Sequence, residues 1–157
     1  PISSQDQMIA LSALLSAGDA DKSTLTLQGN KGGPEEEQVN QDRAMIYSPY
    51  MIAGSQTQAQ LLGVFDGHGE KGEVTSEHAV MNVPRLLHKK LSSMSSLDDE
   101  TAVSRALIET FVEVDKADPT DGKGGSTATL VLQLGPKLYV ANAGDSRSFI
   151  AVLIDGE

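Results

Sequence analysis

The spacing of apolar residues changes several times along the chain. Over residues 5–17, QDQMIALSALLSA, the positions Met8, Leu11, Leu14 and Leu15 recur at helical spacing, and Gly18 ends the predicted helix. Ser23–Leu27 alternates polar and apolar residues as a strand does. A polar stretch bearing glycine and proline, residues 29–38, reads as a loop. Strands are predicted at Ala44–Tyr47 and Leu61–Phe65, and two amphipathic helices follow. The first gathers Ala79, Val80, Val83, Leu86, Leu87 and Leu91 on one face, with Pro84 expected to kink or divide it. The second starts near Asp98, where acidic residues suit the positive end of a helix dipole, and carries Val103, Leu107, Phe111 and Val114.

Asp118–Gly125, DPTDGKGG, reads as an exposed turn-rich loop. Beyond it, Ser126–Leu134 and Lys137–Ala143 form strands around Gly135-Pro136, and Phe149–Ile154 is a third. Strands, a helix pair, then consecutive strands predict an α+β fold with the helices on an antiparallel sheet. Residues 22–157 are read as one domain, with 1–21 as an N-terminal helical extension.

Composition narrows the function classes. The 157 residues carry a net charge of −10, with acidic clusters at Glu35–Glu37 and Asp98–Glu100. That sign disfavours nonspecific binding to nucleic acid or to an anionic membrane, and suits cations or a basic protein partner. With three Tyr, three Phe and no Trp, the core must come from Leu, Val, Ile and Ala. No cysteine is present, which excludes disulfides and thiolate metal sites without fixing the compartment. No run approaches the roughly 18 apolar residues that span a bilayer. The localisation is left unknown, with a soluble, intracellular chain as the expectation. The sequence opens at Pro1 rather than Met and is read as a processed or excised piece.

The candidate chemistry lies at strand ends. Asp42 in Asn40-Gln41-Asp42, Asp66 in Asp66-Gly67-His68-Gly69 and Asp145 in Ala143-Gly144-Asp145-Ser146 each follow or precede an apolar run. Carboxylates and carbonyls suit hard divalent cations, Gly67 could offer its carbonyl, and His68 beside such a site is a candidate proton donor. Taken singly, each Asp is explained by turn chemistry alone, with about a one in five prior of being a ligand, and a lone His is more often structural. The GKGGS stretch at 122–126 lacks the ending of a phosphate-binding P-loop and reads as a loop.

Taken together and in order, NQDR at 40–43, GVFDGHG at 63–69, GSTA at 125–128 and ANAGDSR at 141–147 resemble the protein phosphatase 2C family of metal-dependent serine/threonine phosphatases. The resemblance covers the chain from about Asp42 onward. It implies a sandwich of two antiparallel sheets with flanking helix pairs, incomplete here, and two Mg²⁺ or Mn²⁺ ions in a cleft at one end. It also implies that Asp66 bridges the ions and that the Gly67 carbonyl binds one. Asp42 joins the cluster through water, and Gln41 stands where the family has Glu or Gln. By the same resemblance His68 protonates the leaving alkoxide, and Asp145 matches an Asp that helps hold a third ion in some members.

Two departures shape the functional expectation. The family grips phosphate with an Arg shortly before NQD, where this chain has Glu35-Glu36-Glu37. The family's later Asp motifs have no counterpart before Glu157. Hydrolysis of phosphoserine or phosphothreonine in proteins is therefore expected to be weak or absent in this chain. The alternative is a non-catalytic pseudophosphatase acting as a structural or interaction subunit. A phosphoprotein substrate, if active, and a protein partner or the remainder of the parent chain are the expected contacts.

Overall fold

The computed structural model describes residues 22–27 and 39–152. The predicted N-terminal helix and the loop at 29–38 lie outside the described residues, as do Glu35–Glu37 and residues 153 and 154. Antiparallel pairing dominates. Strands β1 (Arg43–Tyr47), β2 (Ala59–Phe65), β5 (Ala128–Leu134) and β6 (Lys137–Ala143) form a four-stranded sheet in the order β1-β2-β5-β6. Two short strands, β3 (Gly67–Gly69) and β4 (Gly124–Ser126), pair with each other beyond the ends of β2 and β5.

Helix α1 runs uninterrupted over Gly72–Ser92 and α2 over Glu100–Lys116. Pro84 therefore does not divide the first helix. It sits buried in the helix, and its carbonyl accepts a 2.6 Å hydrogen bond from the Tyr50 hydroxyl. The start expected near Asp98 falls at Asp99, whose side chain caps the helix by accepting from the Ala102 N–H at 3.0 Å.

The period-2 alternation of the strands and the 3.6-residue period of the helices meet in one core. Leu61, Phe65, Leu130 and Leu132 point from the sheet toward the helices and are fully buried. Val83, Leu87 and Leu91 of α1 and Val103, Ala106 and Leu107 of α2 close over them. Burying each such side chain contributes about 2 kcal/mol. Gly63 in β2 lets this layer close, because a methyl group there would come within 2.7 Å of Leu130 and 2.8 Å of Met45. Lys90 of α1 bridges to Glu109 and Glu113 of α2 at the rim.

Several predicted elements are corrected. Ser23–Leu27 is irregular and exposed, not a strand; its alternation has no ladder to join among the described residues. Phe149–Val152 is likewise irregular, and Phe149 is 85% exposed, since it has no ladder to join among the described residues. The GKGGS stretch is a loop only in part, since Gly124–Ser126 form β4. The strand expected from Ser126 is interrupted at Thr127, and β5 begins at Ala128. The Asp118–Gly125 loop is not exposed throughout, since Thr120 is buried and its hydroxyl donates to Asp118 at 2.6 Å.

Candidate functional site

Register creates the site. In the β1–β2 ladder Arg43 faces Phe65 and Ala44 faces Val64. One step further along the same register puts Asp42 across from Asp66. Because side chains alternate, Asp42 and Ala44 share a face with Val64 and Asp66. That face is the one turned away from the helices. These four residues line a single cleft of about 430 Å³ together with Arg43, Ser146 and the 23–27 segment.

The NQDR turn is braced from several directions. Asp42 donates its N–H to the Asn40 side chain at 2.9 Å. The Arg43 guanidinium donates to the carbonyls of Asn40 and Asp42 and pairs with Glu77 of α1 at 2.6 Å. Gln41 donates its side-chain amide to the Gly69 carbonyl at 2.8 Å and to Glu73 at 3.0 Å. Its carbonyl accepts from the buried Ser76 hydroxyl at 2.5 Å. The Gln41 amide, donating to Glu73, holds that carboxyl below the usual carboxylate range.

Gly67 is where these pieces touch. A methyl group there would run into the backbone carbonyl oxygens of Gln41 and of Gly72, the latter at 2.6 Å. Only glycine lets the start of α1, the NQD turn and β3 approach this closely. Gly67 and Gln41 thus pack against the start of α1 and hold the NQD turn to it, and neither lines the aspartate cleft.

His68 is placed differently. Its ring lies over Gly125, its register partner, in space that a side chain at 125 would occupy. It lines a separate cavity of about 400 Å³, beneath the helices, with Thr75, His78, Asp115 and Asp118. Asp145 is exposed in the turn after β6, next to Ser146, which does reach the cleft. The structure therefore brings Asp42 and Asp66 into one cleft, sets Gln41 and Gly67 against the start of α1, leaves Asp145 exposed beside Ser146, and opens His68 onto the helix side.

The sequence model of the protein phosphatase 2C family matches residues 32–156. The chain belongs to the protein phosphatase 2C family. Among similar proteins, probable protein phosphatase 2C 64 of Oryza sativa subsp. japonica is 29% identical over 93% of this chain and 34% of its own length. Probable protein phosphatase 2C 41 of Arabidopsis thaliana is 30% identical over 88% of this chain and 42% of its own. The integrin-linked kinase-associated serine/threonine phosphatase 2C of Homo sapiens is 36% identical over 60% of this chain and 25% of its own. The chain thus spans less than half the length of these relatives. Among solved structures, the PPM Ser-Thr phosphatase MsPP of Mycobacterium smegmatis, in complex with cacodylate, aligns with 67% of this chain and 46% of its own, with a TM-score of 0.39 and 21% identity.

Protein phosphatase 2C enzymes are metal-dependent, generally through Mg²⁺ or Mn²⁺. Among the described residues no three His, Cys, Asp or Glu side chains converge as a closed cage. The carboxylates at hand in this cleft are those of Asp42 and Asp66, both oxygen donors. Mg²⁺ is commonly held by one or two carboxylates with water completing an octahedral shell, so the donor set fits such an ion. Sequence reasoning gave no role to Ser76, Thr127 and Ser146, although the last two fall inside the GSTA and ANAGDSR motifs.

Proposed function

We propose that this chain carries part of the metal-dependent phosphoserine/phosphothreonine hydrolase site of a larger protein phosphatase 2C enzyme. The observation that carries the reading is the register that sets Asp42 across from Asp66 in one cleft. Asp66 and Asp42 would hold Mg²⁺ or Mn²⁺, with Gly67, Gln41 and Asp145 as further members of the metal site. When bound, such ions neutralise phosphoryl oxygens and lower the pKa of water toward neutrality. His68, exposed on its three-residue strand, supplies the proton to the departing alkoxide. With two carboxylates in the cleft, metal affinity and turnover of the 157-residue chain are low.

The test is hydrolysis of a phosphothreonine peptide with Mn²⁺, alongside Mn²⁺ titration by electron paramagnetic resonance. Asp66→Ala is expected to abolish both signals. His68→Ala is expected to keep Mn²⁺ binding while losing about a hundredfold in rate. A wild-type chain whose Mn²⁺ titration matches that of Asp66→Ala would sink the metal-site reading. A second reading, a pseudophosphatase that serves as an interaction subunit, is favoured by the placement of His68 outside the aspartate cleft. Under it, Mn²⁺ binding without hydrolysis persists even when the full-length parent protein is assayed.

A further inference from the structure

The β2–β5 register pairs Val64 with Thr129, and the β3–β4 register pairs Gly67 with Ser126. One continuous register therefore runs through both sheets, and it sets Asp66 opposite Thr127. Both residues lie outside the regular strands, at the point where one ladder stops and the next begins.

In an unbroken antiparallel ladder, two such residues exchange both backbone hydrogen bonds. Here only half of that exchange is made. The Thr127 N–H donates to the Asp66 carbonyl at 2.9 Å. The Asp66 N–H instead donates to the Thr127 hydroxyl at 3.1 Å. The Thr127 carbonyl, the ordinary partner, accepts from the Ser126 hydroxyl at 2.8 Å. A side chain has replaced a carbonyl at one rung.

The consequence is geometric. In an unbroken strand, residues two apart share a face. Asp66 lines the cleft on the open side, whereas His68 lines the cavity on the helix side. The altered rung lies between β2 and β3, where the chain changes face. The same hydroxyl shares a 2.7 Å hydrogen bond with Ser146. Gly144, at φ +95°, packs against Thr127, and a methyl group there would approach the Thr127 methyl to 2.8 Å.

We infer that Thr127 is the positioning residue for Asp66: its hydroxyl fixes the Asp66 peptide and ties it to the Gly144–Ser146 turn that carries Asp145. The role is assigned to the hydroxyl rather than to the bulk of the side chain, because valine would fill the same space. Buried at this position, the hydroxyl has water as no ready substitute. Its importance for metal binding rests on the phosphatase reading above; its hold on the Asp66 peptide does not.

The experiment uses the ¹⁵N-labelled 157-residue chain as wild type, Thr127→Val, Thr127→Ser and Ser146→Ala. In Thr127→Val the Asp66 amide is expected to exchange with solvent about tenfold faster, and the resonances of residues 144–147 to shift. Mn²⁺ affinity, read by paramagnetic broadening, is expected to fall about tenfold, as for loss of a group that orients a ligand. Thr127→Ser restores both, since it keeps the hydroxyl. Ser146→Ala shifts residues 144–147 but leaves Asp66 exchange near the wild-type rate. The inference is overturned if Thr127→Val leaves Asp66 exchange within about twofold of wild type. It is also overturned if Thr127→Ser fails to rescue, or if Ser146→Ala loosens Asp66 as much as Thr127→Val does. A wild-type chain that binds no Mn²⁺ removes the metal reading alone, and the exchange rates still decide the junction.

Discussion

The two faces of the four-stranded sheet are built from similar residues and have different fates. Toward the helices, Leu61, Phe65, Leu130 and Leu132 are each 0% exposed. On the opposite face Val64 is 50% exposed, and Val140, which pairs with Val131, is 51% exposed. Alternation along a strand distributes side chains between two faces but cannot say which face another element will cover. Here α1 and α2 cover one, and the aspartate cleft opens on the other. The covered face supplies the stability, and the uncovered face carries the aspartate cleft.

The sharpest way to break this contrast is to truncate one residue on each face. Leu132→Ala should cost about 3 kcal/mol in urea unfolding, through lost burial and an unfilled cavity. Val140→Ala should cost about 0.5 kcal/mol, since a half-exposed residue on this last strand of the sheet leaves no cavity. Equal costs would show that the open face is covered in solution.

A smaller effect is expected at the bolt between the β1–β2 loop and α1. Tyr50→Phe removes the donor to the Pro84 carbonyl and should cost about 1 kcal/mol. Burial pushes the Tyr50 phenol well above its ordinary value of 10.0. The folded state thus keeps a proton that the unfolded state releases, so wild type should lose stability as pH rises past 10.0, and Tyr50→Phe should lose less. Parallel alkaline melts that fall together would contradict the buried, bonded phenol.

The smallest effect belongs to the solvent-exposed rim. Lys90, bonded to Glu113 at 2.6 Å, holds that carboxyl below its ordinary value of 4.5. A depressed carboxyl stabilises the fold above its unfolded pKa and loses that contribution as pH falls through the folded value. Glu113→Gln should therefore flatten the decline in melting temperature below pH 4.5 slightly, and more so at low salt. A decline as steep as that of wild type would show that the pair contributes nothing.

Much of this was legible in the sequence. The strong periodicities of the α1 and α2 segments gave both helices, because burial of one face is encoded every three or four residues. Asp98-Asp99-Glu100 marked the start of α2 within a residue, because capping is local. Ser23–Leu27 and Phe149–Val152 show the limit of such patterns. A strand's hydrogen bonds go to another segment, so alternation alone cannot supply the partner.

The site divides in the same way. The sequence by itself determined that Asp42, Gly67 and Asp66 lie at the ends of apolar runs, since those runs and their glycine breaks are local features. The assembled fold alone sets Asp42 across from Asp66, turns His68 onto the helix side, and puts the Thr127 hydroxyl in place of a carbonyl at the rung beside Asp66. Each of these depends on the register between segments separated by more than twenty residues or on the covering of one sheet face by helices. Such long-range pairing is fixed by the packing of the whole core, and no short stretch of residues carries it.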